Sequence, residues 1–100
     1  MIDKIDAFKK RTKDLALRII KLFQVLPKTD EARIIEKQLL RSATSVAANY
    51  RASCRARSDA EFFSKISIVV EEADETLFWL EMLFEAEIIP QEKLAALLKE

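Results

Sequence analysis

The chain has 100 residues, half of them apolar, and its 17 basic and 17 acidic side chains give a net charge of zero. This length and apolar content predict one domain around a single core. The sequence contains no glycine and no histidine, which excludes glycine-rich phosphate loops and dinucleotide fingerprints and removes the commonest proton shuttle and metal ligand.

The sequence also predicts the cellular compartment of the protein. No run of residues is long and apolar enough to span a membrane, and the charged N-terminal residues do not resemble a signal peptide. The single cysteine, Cys54, cannot form an internal disulfide, which fits a reducing compartment. These features predict a cytoplasmic protein that does not contact a membrane.

The first predicted helix covers about residues 3–26. Apolar side chains from Ile5 to Leu26 recur at intervals of three and four residues, with Thr12 filling a gap. That stripe is typical of a helix packed in a bundle. Pro27 is expected to end the helix, because the residue before a proline disfavours the α conformation.

The second predicted helix covers about residues 31–55 and is capped by Thr29 or Asp30. Beside its apolar face lies a stripe of small polar residues: Ser42, Ser45, Asn49 and Ser53. Small side chains allow a neighbouring helix to approach closely. We expect Asn49 to hydrogen-bond across to another helix, because a buried unpaired amide is costly.

The third predicted helix covers about residues 59–86 and starts at a capping box formed by Ser58 and Glu61. Its predicted core stripe is Phe62, Ile66, Val69, Ala73, Leu77, Leu80 and Leu83. Four further apolar residues fall outside that stripe: Ile68, Phe78, Trp79 and Met82. A helix that is apolar on more than one side predicts an oligomer interface on these four residues.

A short fourth helix is predicted over residues 90–100, because Pro90 suits a first turn and Leu94, Leu97 and Leu98 share one face. The four segments together predict an all-α fold. We expect residues 1–100 to form one antiparallel up-down four-helix bundle with a short fourth helix.

One cluster of carboxylates, from Glu71 to Glu75, could hold a hard cation. Di-iron bundles use Glu-x-x-His pairs, which this chain cannot supply. The preferred interpretation is a solvated or salt-bridged face, with Arg41 level with Glu72 and Glu75 and paired to them. We therefore predict no metal, no cofactor, no catalytic residue and no enzymatic activity.

The charges are divided along the chain, with an excess of basic residues in 1–65 and of acidic residues in 66–100. Arg51, Arg55 and Arg57 close the second helix, and an antiparallel bundle brings Lys4, Lys9 and Lys65 to the same end. These six cations could bind the phosphates of RNA or DNA. Acidic residues at the same end could instead neutralise them, and both interpretations stay open.

Three stretches carry a family pattern: Gln38 to Ala52, Ala60 to Phe63, and Glu71 to Glu81. They resemble the bacterial four-helix-bundle family named for proteins encoded in intervening sequences of 23S rRNA genes. The likeness covers about Phe8 to Ile89, and the family is similar to the accessory variability protein of diversity-generating retroelements. Many members read Asn-x-x-Glu-Gly where this chain has Asn49-Tyr50-Arg51-Ala52-Ser53.

The resemblance implies a barrel-like homopentamer with a positively charged surface that contacts RNA, DNA or a reverse transcriptase. The leading hypothesis is therefore a non-enzymatic oligomer that binds nucleic acid through its basic residues. The alternative is a structural or protein-recruiting oligomer that makes no nucleic-acid contact.

Overall fold

The computed structural model describes residues 4–88, and within them the chain forms three helices: α1 (Lys4–Phe23), α2 (Asp30–Ser53) and α3 (Asp59–Glu85). Two short connections reverse the chain twice, so α1 and α3 run in one direction and α2 in the other. Helix α2 packs against both neighbours. In this part of the chain no helix combines the length and apolarity needed to cross a membrane.

The all-α class is confirmed, but the prediction of a four-helix bundle is wrong, since the described residues 4–88 form three helices. Residues 90–100, to which the fourth helix was assigned, lie outside the described range. The assignment rested on Pro90 as a first-turn residue and on the spacing of three leucines. Local periodicity is weak support for a helix of about ten residues, which depends on tertiary packing for its stability.

Helix α3 ends in a Schellman motif. The Ile88 amide donates to the Leu83 carbonyl at 2.8 Å, and the Glu87 amide donates to Phe84 at 2.9 Å. Glu87 has a φ of 60°, the left-handed conformation that glycine normally supplies at this position. In a chain without glycine, a glutamate adopts it, and Ile88 packs back onto the core.

The core lies at the end of the molecule where α1 ends, α2 begins and α3 ends. Its buried cluster consists of Ile19, Leu22, Leu26, Ile35, Leu39, Ala43, Leu80 and Leu83. The opposite end is more open, because Ile5 is 50% exposed and Phe8 is 39% exposed. There Phe8 makes an edge-on contact with Tyr50, at 4.6 Å between ring centroids.

The buried face of α3 differs from the predicted stripe. Leu77 and Phe62 are exposed, whereas Thr76 is buried against α2. The Thr76 hydroxyl donates to Ser42 at 2.9 Å, and the Ser42 hydroxyl donates to the Leu39 carbonyl at 3.1 Å. Two small side chains at this contact let the helices approach closely, which rotates Leu77 outward.

The connection between α1 and α2 is held by Lys28. Its ammonium group donates to the carbonyl of Phe23 at the end of α1 and lies 3.7 Å from the Glu36 carboxylate. The Glu36 side chain is only 6% exposed. Its second oxygen is buried and has no hydrogen-bond partner among residues 4–88. Lys28 therefore provides the compensating charge for a buried acid.

Candidate nucleic-acid interface

A cavity of about 460 Å³ lies between the C-terminal part of α2 and the N-terminal part of α3. We call it the basic cavity. Its lining consists of Ala48, Arg51, Ala52, Arg55, Arg57, Glu61 and Lys65. Four of these seven residues are cationic and one is acidic, so the cavity carries a net positive charge.

Local structure explains how these cations meet. Arg51 lies in the last turn of α2, and Arg55 lies just beyond the helix, in a turn in which its amide donates to the Ala52 carbonyl at 3.0 Å. Both side chains are exposed. Arg57 lies in the connection, and the N-terminal cap of α3 then turns the chain back so that Lys65 follows about two turns later. The Ser58 side chain forms that cap by accepting a hydrogen bond from the Glu61 amide at 3.1 Å.

Glu61 is the one acidic residue of the basic cavity. Its carboxylate accepts a hydrogen bond from the Arg57 backbone amide at 3.3 Å. In the usual capping box this carboxylate would accept a hydrogen bond from the amide of the cap residue, Ser58. Here it accepts from the amide of the residue before the cap and still helps to cap α3. Among residues 4–88 no carboxylate lies within ion-pair distance of the Arg51, Arg55 or Lys65 side chains, so their donors are available for a ligand.

The structure brings four of the six predicted nucleic-acid residues into the basic cavity: Arg51, Arg55, Arg57 and Lys65. Lys9 lines a second depression, which shares Arg51 and Ala48 with the first. Lys4, at the start of α1, lines neither of them. Arg51 therefore stands on a ridge between two basic concavities.

The second depression, of about 680 Å³, runs between α1 and α2, and we call it the α1/α2 groove. Lys9, Lys10, Lys13 and Arg51 are its cationic residues, and Leu17 and Ile20 lie among them. Sequence reasoning did not single out Lys10, Lys13, Leu17 or Ile20. Their helical spacing was visible, but the groove exists only because α1 lies beside the small side chains of α2, among them Ala47 and Ala48.

Arg41 cross-links α2 and α3. One of its terminal nitrogens lies 3.2 Å from a Glu72 oxygen, and the other lies 2.5 Å from Glu75. Glu75 also accepts a hydrogen bond from the Trp79 indole at 3.1 Å. The Arg41 guanidinium is the main cause, and the Trp79 indole the second cause, that the pKa of Glu75 lies below its ordinary value. This cluster neutralises Arg41 and leaves it out of the basic cavity.

The other polar residue singled out from the sequence, Asn49, is half-buried. Its side-chain amide donates to the Ser45 carbonyl and to the Ser45 hydroxyl, each at 2.9 Å. Both bonds lie within α2, whereas the sequence predicted a bond between helices. The reason is local, because an amide one turn after a serine reaches that turn's carbonyl without a second helix.

The four apolar residues predicted as an oligomer interface lie on one side of α3. Phe78 is 49% exposed and Met82 is 37% exposed, while Trp79 and Ile68 are half-buried. The Phe78 and Trp79 rings are in edge-on contact, with centroids 4.8 Å apart. Acidic residues surround the pair, and Glu71, Asp74 and Glu81 are all exposed.

Within residues 4–88 no three side chains of the metal-binding types come together as a potential ion site. Glu71 and Asp74 point to solvent, whereas Glu72 and Glu75 engage Arg41. The described residues thus divide the carboxylate cluster between two faces of α3.

Comparison with known proteins places the chain in a family. The sequence profile described as 23S rRNA-intervening sequence protein matches residues 5–100. A crystal structure of a protein of unknown function from Bacteroides thetaiotaomicron, assigned to the S23 ribosomal protein family, is similar, with a TM-score of 0.84 and 35% sequence identity. The match covers 95% of this chain and 85% of that one. No curated protein sequence matches. The chain therefore belongs to the 23S rRNA-intervening sequence protein family.

Proposed function

We propose that this protein is a non-enzymatic, self-associating helical protein that binds the phosphate backbone of RNA or DNA through its basic cavity. The observation that carries the proposal is the convergence of Arg51, Arg55, Arg57 and Lys65 on one concave surface. Guanidinium groups bind phosphate oxygens in pairs, and each phosphate contact releases condensed counterions.

The lining of the basic cavity favours backbone contacts over base recognition. Ala48 and Ala52 separate the cations, so a phosphate can approach the surface of α2 closely. The residues that line it include no aromatic ring on which an unpaired base could stack. Binding through backbone charge alone is expected to be strongly salt-dependent and weakly sequence-dependent.

Self-association is the second part of the proposal. Exposed Phe78 and Met82 supply apolar surface, and the family resemblance supports a homopentamer. Five chains of 11.5 kDa give an assembly of about 57 kDa. Repeating the basic cavity around such an assembly raises the affinity for a long polyanion by multivalency.

The test is a fluorescence-anisotropy titration of a labelled RNA hairpin and a labelled DNA duplex at low salt. Arg51→Gln combined with Arg55→Gln removes half of the cavity's cations. Arg33→Gln combined with Lys37→Gln is the matched control, because it removes the same charge from exposed positions at the other end of α2. We expect the first variant to bind at least about tenfold more weakly and the control to change affinity by less than about threefold.

Two results would contradict the proposal. The wild-type protein could fail to bind either nucleic acid at low salt, or both variants could weaken binding equally. Equal weakening would mean that binding depends on overall charge and that the basic cavity plays no special part. Circular dichroism of each variant establishes that the helices are retained.

A second candidate function is recruitment of a protein partner, favoured by the exposed Phe78 among the acidic residues of α3. A reverse transcriptase is the partner implied by the resemblance. Capture of such a partner that survives nuclease treatment, and that is lost in Phe78→Ser, would support this function. Recovery of nucleic acid alone would count against it.

A further inference from the structure

We propose that the outer face of α3 from one copy packs into the α1/α2 groove of the next copy. We define the outer face as Glu71, Asp74, Phe78, Glu81 and Met82. The inference rests on the proposed self-association and is independent of the proposed nucleic-acid binding. It names which two surfaces meet and in which direction the helices run.

The α1/α2 groove has an apolar floor and a cationic rim. Leu17 is 46% exposed and Ile20 is 39% exposed, although both lie among groove-lining alanines. On the rim, Lys9 lies 3.8 Å from Asp6, and Lys10 is paired with Asp14 at 2.6 Å. Lys13 is exposed, and among residues 4–88 no acid lies within ion-pair distance of it.

The outer face of α3 complements the α1/α2 groove both in its apolar surface and in its charge. Phe78 and Met82 supply exposed apolar surface, and Trp79 holds the Phe78 ring from one side. Glu71, Asp74 and Glu81 are exposed, and within the described range no basic group pairs with them. The last turn of α3 carries no basic residue. The face thus presents uncompensated negative charge around an apolar centre.

Charge decides between the possible symmetric arrangements. A two-fold dimer built from two outer faces would oppose acids to acids, and one built from two grooves would oppose lysines to lysines. Like-charge contacts of this kind are strongly unfavourable. The complementary arrangement joins two different surfaces, so it is heterologous, and it closes into a ring when the rotation between copies permits.

The spacing of the residues gives the direction. Lys10 and Lys13 precede Leu17 by seven and four positions, and Glu71 and Asp74 precede Phe78 by the same two intervals. When Leu17 meets Phe78 with the helices parallel, the lysines stand level with the acids. Within one subunit α1 and α3 already run in the same direction, and rotation about an axis along the bundle preserves that direction. A ring around such an axis therefore brings α3 parallel to the neighbour's α1.

This arrangement assigns separate tasks to the two basic concavities. The α1/α2 groove receives the neighbouring copy, because exposed leucine and isoleucine suit an apolar partner better than a hydrated phosphate. The basic cavity remains open to nucleic acid. Arg51, which lines both, stands at the edge of the subunit contact.

The test is a charge exchange followed by sedimentation velocity across a range of protein concentrations. Lys13→Glu and Asp74→Lys each create a like-charge contact, so each alone is expected to weaken self-association at least about tenfold. The combination of Lys13→Glu with Asp74→Lys restores opposite charges and is expected to recover most of the assembly. Lys37→Glu, an exposed position outside both surfaces, is the matched control and leaves the assembly unchanged.

A double exchange that assembles no better than either single variant would overturn the inference, as would a wild-type protein that stays monomeric. An RNA titration of Lys13→Glu separates this inference from the proposed function, because its basic cavity is intact. Residual RNA binding by a dissociated Lys13→Glu protein supports the division of tasks. If the wild-type protein assembles fully but does not bind RNA, the proposed nucleic-acid binding is refuted and this inference is not.

Discussion

Replacing Lys28 with methionine tests the electrostatic balance at the turn between α1 and α2. The substitution leaves the Glu36 carboxylate, whose side chain is 6% exposed, without its counter-charge at 3.7 Å. At that separation the attraction is worth about 1 kcal/mol in water and about 4 kcal/mol at an effective dielectric constant of about 20. Because the Lys28 side chain is 55% exposed, the lower part of that range applies.

The Lys28 side chain also donates to the Phe23 carbonyl, a hydrogen bond worth roughly 0.5–1.5 kcal/mol. We therefore expect Lys28→Met to lower the free energy of unfolding by about 2 kcal/mol, which corresponds to a Tm lower by roughly 8–16 °C for a domain of this size. Urea titration followed by circular dichroism measures the first quantity and thermal melting the second.

The same substitution in a Glu36→Met background shows how much of its cost comes from the buried charge. Glu36→Met removes a buried carboxylate that has one unpartnered oxygen within the described structure, so it is expected to be neutral or stabilising. In that background Lys28→Met is expected to cost only the lost hydrogen bond to Phe23, roughly 0.5–1.5 kcal/mol, since no buried charge is left behind. The reasoning is refuted if Lys28→Met is harmless in the wild type, or if it costs the same in both backgrounds.

Three further predictions concern the helices themselves. Ser58→Ala removes the N-terminal cap of α3 and is expected to cost about 1 kcal/mol in a urea titration. Ser42→Val overpacks the α2–α3 contact, where Ser42 is fully buried, and is expected to cost about 1–3 kcal/mol, whereas Thr44→Val at an exposed position changes stability by less than about 0.5 kcal/mol. Arg41 lowers the pKa of Glu75 in the folded state. The ion pair therefore stabilises the fold fully above the ordinary carboxyl pKa of about 4.3, and this stabilisation disappears as the pH falls through the lower pKa of the folded state. Glu75→Gln is therefore expected to be less stable than wild type at neutral pH, and the difference in the free energy of unfolding is expected to shrink as the pH is lowered below the ordinary carboxyl pKa, measured by urea titration at a series of pH values.

Local signals accounted for the features that could be predicted from the sequence. Ser58 acts on the backbone next to it, and α3 begins at Asp59 as that cap predicts. Pro27 predicts that α1 ends before it, but α1 ends at Phe23, earlier than the predicted end near Leu26. The Arg41 contacts were also foreseeable, because the lengths of α2 and α3 bring position 41 level with positions 72 and 75. In each case the physical cause lies within a few residues or follows from a single hairpin.

The features that escaped prediction depend on how helices pack. Periodicity showed that α3 is apolar on two sides, but only the contact between Ser42 and Thr76 decides that Thr76 turns inward and Leu77 outward. The α1/α2 groove was invisible for the same reason, since its floor comes from two helices. Asn49 bonds within its own helix because the carbonyl and hydroxyl of Ser45, one turn earlier, lie within reach of its side-chain amide.

The salt dependence of RNA and DNA binding tests the central claim most directly. Each phosphate neutralised on duplex DNA contributes about −0.9 to the slope of log K against log salt concentration. If the basic cavity carries the binding, Arg51→Gln combined with Arg55→Gln makes that slope shallower by about 1.8 on duplex DNA. A slope that stays unchanged in this variant would contradict the assignment of the basic cavity as the nucleic-acid interface.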